Sequence, residues 1–262
     1  MSRPVTDLLS HSTWWKKRGH LDIGRTQLTL RDGKSQTCHP LSQPLRSSLP
    51  DSELLEVLRT ALEILCSTLP AGRRHLDITI SDSLARCWIL ERLSGLATLA
   101  EIEALAADQM LQLYGDSPDA AAQWAIQIDV TPFATQWPVI ALPKAWLDLL
   151  LEVTVERAWQ IGKIQTRFVA SLNDQRSNPF RPEKNSVYAM ETQDGLTIGI
   201  RNARQWLALR THPPLNLLGT DLLTMLRRDC AAAGVRLDDF RIHNLRCPVG
   251  VEVQIGAGVE AA

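Results

Sequence analysis

The 262-residue chain is 45% hydrophobic and 22% charged, a globular composition that excludes a disordered polymer. Its 28 Lys plus Arg nearly balance 29 Asp plus Glu, for a formal net charge of −1, so no broad field pulls it onto nucleic acid or anionic lipid. The five cysteines (Cys38, Cys66, Cys87, Cys230 and Cys247) are scattered and form no CxxC pair, which fits reduced thiols and excludes a disulfide framework.

Residues 1–18 read as a separate arm. No h-region with a cleavage site is visible in Met1–Ser12, so no signal peptide is expected. Trp14 and Trp15 stand beside Lys16, Lys17 and Arg18, either as an interfacial or partner anchor or as rings packed back on the body. Leu21 and Ile23, then Leu28 and Leu30, alternate as a hairpin, with Asp32-Gly33 as a turn. The Ser/Pro-rich run from His39 to Pro50 reads as a loop. Asp51 then caps a helix carrying Leu54, Leu55, Leu58, Leu62 and Leu65.

Leu76, Ile78 and Ile80 predict a strand, and Ala85–Leu90 a second one beyond the turn Ser81-Asp82-Ser83. Thr98 and Glu101 form a capping box for a helix that ends at Gly115. Trp124, Ile126, Ile128 and Val130 alternate as a strand, and Val139–Leu142 is a short one. A helix follows with Trp146, Leu147, Leu150 and Leu151 as its buried stripe. Ile164–Leu172 reads as a strand.

Residues 173–186 are polar, contain two prolines and mark a linker. The expected division is therefore an arm at 1–18, a first subdomain at 19–172, the linker, and a second, shorter subdomain at 187–262. In the second, Val187–Glu191 and Leu196–Arg201 flank the turn Gln193-Asp194-Gly195, and Gln205–Arg210 is a third strand. Leu218, Leu222, Leu223, Leu226 and Cys230 mark a helix, and Ile242 and Val249–Ile255 supply closing strands.

The strand–helix–strand order, twice over, resembles the actin-like (ribonuclease-H-like) fold, an α/β class with duplicated subdomains, here with the second truncated. LDIGRTQLTL, Leu21–Leu30, looks like that superfamily's first phosphate motif, with Asp22, Gly24 and Thr26 at its key positions. LDITISDSLARCWIL, WAIQIDV and QTRFVASLN are similar to segments of the cytoplasmic scaffolds of type IV pilus and type II secretion assembly.

The resemblance implies a scaffold that binds the cytoplasmic tail of an inner-membrane protein in the cleft between its subdomains, with Asp22, Gly24 and Arg25 beside the tail. Thr26 completes the set of candidate nucleotide- or peptide-binding residues. A second Asp-x-Gly hairpin, which an actin-like ATPase needs, is missing from Ser186–Glu191, and the nearest Gly-rich segment is Gly256-Ala257-Gly258. The expectation is thus a protein without catalytic residues, metal or resident cofactor, cytoplasmic or peripheral at the inner membrane through a partner. The alternatives are an ATP- and magnesium-binding ATPase or sugar-kinase relative with divergent loops, or a part of another secretion or contractile assembly.

The six histidines fall into no metal-ligand spacing, and no GxSxG, Walker or GxGxxG pattern occurs. Trp88, Trp124, Trp146 and Trp206 are expected in the core. Trp137, before Pro138, and Trp159, near a helix end, are candidates for partial exposure and partner contact, with core packing as the competing reading. The arginines between Arg201 and Arg246 are interleaved with Asp221, Asp229, Asp238 and Asp239, which reads as a mixed charged surface.

Overall fold

The computed structural model describes residues 18–69, 74–93, 95, 98–115, 117–130, 134–175, 185–203 and 205–246. The Trp14/Trp15 arm, Gly256-Ala257-Gly258 and the expected strand Val249–Ile255 lie outside the described residues.

The chain opens with the meander β1 (Arg18–Ile23), β2 (Gln27–Asp32) and β3 (Ser35–Pro40). The third strand starts right after the Asp32-Gly33 turn and replaces the beginning of the expected His39–Pro50 loop. Gly33 takes φ 60°, the left-handed conformation that such a two-residue turn requires and that glycine adopts at no steric cost. Helix α1 (Ser52–Ser67) is capped by Asp51, whose carboxylate accepts from Leu54 N. Its stripe Leu54, Leu58, Ala61, Leu62 and Leu65 is buried on the sheet.

The strand β4 (Arg74–Ile80) follows, then a 3-10 turn at Asp82–Leu84 and β5 (Arg86–Glu91). Next come α2 (Leu99–Tyr114), the short α3 (Pro118–Ala121), β6 (Trp124–Ile128) and β7 (Gln136–Pro143). The Thr98–Glu101 capping box is formed, and Gly115 ends α2 in the left-handed conformation. Helix α4 (Lys144–Glu156) and β8 (Trp159–Thr166) return the chain to the first sheet.

Residues Arg167–Gln175 are helix α5, not the continuation of a strand. Phe168, Ala170 and Leu172 are all buried, but so is Ser171 between them. Ile164, Phe168, Ala170 and Leu172 fall on alternate positions across the junction of β8 and α5, which is why alternation misled there.

The second half repeats the plan: β9 (Ser186–Thr192), β10 (Gly195–Arg201), β11 (Trp206–His212), the short α6 (Leu215–Leu218), α7 (Leu222–Ala232) and β12 (Arg241–Asn244). The first sheet runs β3-β2-β1-β4-β8 and the second β11-β10-β9-β12. In each, an antiparallel meander is followed by a helix and by a strand parallel to the meander's first strand. That shared order, 3-2-1-4, is the ribonuclease-H-like core, present twice, with four described strands in the second copy against five in the first.

The segment between β4 and α4 is an insertion with its own sheet, β5-β7-β6, and its own core of Trp88, Ile102, Ala106, Met110, Trp124 and Trp137. Thus the strands on either side of Ser81-Asp82-Ser83 enter different sheets. Inside the insertion, the Arg86 guanidinium lies 4.0 Å from the centroid of Trp124 and 4.5 Å from that of Tyr114.

Of the two readings of Trp137 and Trp159, core packing holds. Trp137 is 3% exposed because its strand β7 is central in the inserted sheet, and Trp159 is 4% exposed because it opens β8 against Arg74 over the first core. Neither ring is available to a partner. In α4 the buried residues are Trp146, Leu149, Leu150 and Val153, while Leu151 is 50% exposed.

Candidate functional site

Three parallel strands of the first sheet end in register: Ile23 of β1 pairs with Ile80 of β4, which pairs with Thr166 of β8. The carboxyl edge of such a sheet is where this class of fold builds its sites. The residues just past that edge are Gly24, Ser81 and Arg167.

Asp22 lies one position before the edge, opposite Thr79. Both are buried, and the Thr79 hydroxyl donates to Asp22 Oδ1 at 2.7 Å. Because that hydroxyl's proton goes to the carboxylate, the 3.0 Å contact from His20 Nε2 to Thr79 Oγ1 has the imidazole as donor. Burial lowers the His20 pKa, against the pull of Asp22 and Asp77, so the ring is held neutral.

Arg167 comes from the start of α5 and grips Asp22 with two nitrogens, Nε to Oδ1 at 2.9 Å and Nη2 to Oδ2 at 2.6 Å. Its third nitrogen, Nη1, donates to Asp194 Oδ2 at 2.8 Å. Asp194 sits in the turn between β9 and β10, so one guanidinium ties the first hairpin to the second. The side chains of Asp22, Arg167 and Asp194 are 1%, 2% and 3% exposed. In so dry a setting the bidentate geometry and the extra donors offset the cost of desolvation.

The first hairpin's turn amides are engaged as well. Gly24 N donates to Gln27 O at 2.9 Å, and Arg25 N donates to Asp194 Oδ2 at 3.2 Å. Gly24 is required by this closeness: a Cβ there would stand 2.9 Å from Arg167 Nη2 and 2.9 Å from Gln27 O. The side chains of Arg25 and Thr26 point to solvent, and their carbonyls accept from Leu45 N and Leu41 N.

Of the four residues expected at the site, Asp22 and Gly24 are therefore sealed inside, and only Arg25 and Thr26 are exposed. The facing turn is Gln193-Asp194-Gly195, whereas Ser186–Glu191, where the second motif was sought, lies within β9. Gly195 is fixed by backbone, since a Cβ would meet His212 O at 2.5 Å.

A third acid at the junction is Asp82. It is buried and accepts from Phe168 N at 3.1 and 3.2 Å, serving as a cap for α5 from another part of the chain. Burial pushes its pKa up to about 6, opposed by the Thr166 hydroxyl and the Phe168 N–H. Beside it Phe168 packs edge-on against Trp206, centroids 6.3 Å apart, and Trp206 lies 5.9 Å from Tyr188. Gly199 makes room for this aromatic contact; a Cβ there would overlap both Phe168 and Trp206.

ATP with magnesium would need phosphate oxygens on the hairpin amides and a cation beside Asp22. Both positions are taken by the chain's own groups. The Asp194 carboxylate is the anion on Arg25 N–H, and the Arg167 guanidinium is the cation on Asp22. The residues present do not fit a metal-nucleotide. Among the described residues no group of three or more His, Cys, Asp and Glu could hold a metal ion, and no helix is long and apolar enough to cross a membrane.

No family model and no curated protein matches the chain. Solved structures similar to it include the PilM-PilN type IV pilus biogenesis complex, at 14% identity over 85% of this chain and 71% of that one, TM-score 0.48. A Bacteroides thetaiotaomicron protein with an actin-like ATPase fold is 10% identical over 87% and 81%, TM-score 0.48. The cytoplasmic domain of EpsL, an inner-membrane component of the type II secretion system of Vibrio cholerae, is 9% identical over 73% and 70%, TM-score 0.42. At 14% identity or less these are likenesses of fold alone.

Proposed function

We propose that the chain is a non-enzymatic scaffold on the cytoplasmic side of a bacterial inner membrane, part of a pilus or type II secretion machine, and that it holds the cytoplasmic tail of an inner-membrane protein. The observation that carries this reading is the Asp22–Arg167–Asp194 bridge. An enzyme of this fold works through a cleft that admits a charged substrate between its two hairpins. Here the cleft's floor is occupied by a buried ion triad whose charges are engaged with one another. Such a bridge costs an enzyme its site but gives a scaffold a fixed relation between its halves. The choice of machine comes from the sequence resemblance of the strands and helix between Leu76 and Leu172.

Titration calorimetry with Mg-ATP, paired with a phosphate-release assay, tests the proposal. The expected result is neither a binding heat nor turnover. Binding with turnover would return the chain to the ATPases and overturn it.

A further inference from the structure

An open groove lies away from the sealed cleft, between the end of β3 and α1. It has a volume of about 430 Å³, a size that takes a few side chains. Pro40, Leu41, Val57 and Ala61 give it an apolar wall, and Glu53 and Glu56 stand on its rim. Strand β3 is the outermost strand of its sheet, so no other described strand covers this side.

The apolar wall continues past the groove. Val57 and Ile64 lie at i and i+7 on one side of α1, and Ile64 is 44% exposed although it is a large aliphatic residue. The helix itself is net acidic. Helix α1 carries Glu53, Glu56 and Glu63 and one cation, Arg59. Arg59 is turned to the opposite side, where it binds Glu152 of α4 through two nitrogens at 2.7 and 3.0 Å. Glu53 accepts from the neutral Gln43 amide. Glutamates beside an apolar strip ask for a ligand with matching cations.

From Glu53 to Ile64 the helix advances about 16 Å, which an extended peptide covers in about five residues. We infer that this groove takes a short extended peptide of a protein partner, with an apolar side chain seated on Leu41 and Val57, a second on Ile64, and Lys or Arg against Glu53 and Glu56. The inference rests on the proposed reading and sharpens it. Cytoplasmic flanks of inner-membrane proteins carry an excess of Lys and Arg, so a membrane protein's tail has the required charge. Anionic lipid has the wrong sign for this rim.

The test uses the full chain and fluorescein-labelled synthetic peptides in anisotropy titrations at low and physiological salt. One peptide carries two leucines three residues apart behind a pair of lysines; a second replaces the lysines by glutamates, and a third the leucines by serines. The lysine–leucine peptide is expected to bind, more weakly as salt rises, and the other two to bind at least about tenfold less tightly. The exposed pair Glu53→Lys and Glu56→Lys should reverse the preference between lysine and glutamate peptides. Ile64→Ser should weaken binding without changing its salt dependence.

Equal binding of all three peptides, or no change in the reversed variant, overturns the groove assignment. Failure of the scaffold reading looks different: Mg-ATP turnover would remove that reading whatever the peptides do. A protein that ignores nucleotide and shows no peptide preference loses only the groove.

Discussion

The two hairpins that meet at the centre of the molecule are copies of one design put to opposite uses. In the first, Gly24 lets the chain turn closely enough for its amides to face an anion, and Asp22 waits for a cation. In the second, the turn residue Asp194 supplies an anion of its own, and its carboxylate reaches the Arg25 amide of the first. Arg167 then meets both acids. The lesson is that the charges of one hairpin can be answered by groups of the other and of the helix that precedes it.

The comparison breaks most clearly at Arg167. Arg167→Ala leaves Asp22 and Asp194 buried and facing one another, and removing one partner of a buried pair typically costs about 3–5 kcal/mol. The expected outcome is a drop of that size in urea-unfolding stability at pH 7. If the single variant does not fold, the triple variant Asp22→Leu, Arg167→Met, Asp194→Leu is expected to recover near-original stability, because no charge is then stranded. A loss below about 1 kcal/mol for Arg167→Ala would mean the acids reach water and the halves are not bridged.

A second test separates the buried acids that have a cation from the one whose hydrogen bonds come from neutral donors. Asp82 is held by the Phe168 amide and the Thr166 hydroxyl, and its pKa rises to about 6 from an ordinary 3.8. A carboxyl with a raised folded pKa favours the fold when protonated, so its contribution is fully present below pH 3.8 and lost as pH rises through 6. Asp82→Asn keeps an acceptor for Phe168 N and cannot ionise. The stability of this variant relative to the parent should therefore grow between pH 4 and pH 7, by at most about 3 kcal/mol. Urea midpoints at those two pH values check it, and a constant difference would show that Asp82 titrates normally.

These tests also mark where the sequence was legible. The first hairpin, the caps at Asp51 and Thr98 and the strand Leu76–Ile80 follow from local rules, because period, cap and turn chemistry act within a few residues. The duplicated order was readable as well, since it is a list of such elements. The site was not. Asp22 and Gly24 stood out as a motif, but their partners Arg167 and Asp194 lie 145 and about 170 positions away, and neither is marked by spacing. Arg167 was hidden because Ile164–Leu172 reads as one alternating strand, and Asp194 read as a turn residue because that is what its neighbours Gln193 and Gly195 require. The one available cue was register: with β1 beside β4, Asp22 must face Thr79, and a buried acid there needs a cation from somewhere.

The smallest effect compares matching caps in the two halves. Asp51 accepts from Leu54 N and Asp221 from Thr224 N, each at 2.8 Å, and each opens the helix that follows a meander. Asp51→Ala should lower stability by about 1 kcal/mol. Asp221→Ala should act in the same direction, and its fully exposed carboxylate makes it the weaker of the two. With Arg167 in place both variants are expected to unfold in a single transition, seen alike by far-ultraviolet dichroism and tryptophan fluorescence, since the bridge makes each half's loss felt by the other. Combined with Arg167→Ala, Asp221→Ala should split the transition, with the second half melting first. If the double variant still unfolds in one step, the packing of Phe168 and Tyr188 on Trp206 couples the halves by itself. The ion triad would then be a seal on the cleft and not the joint between its walls.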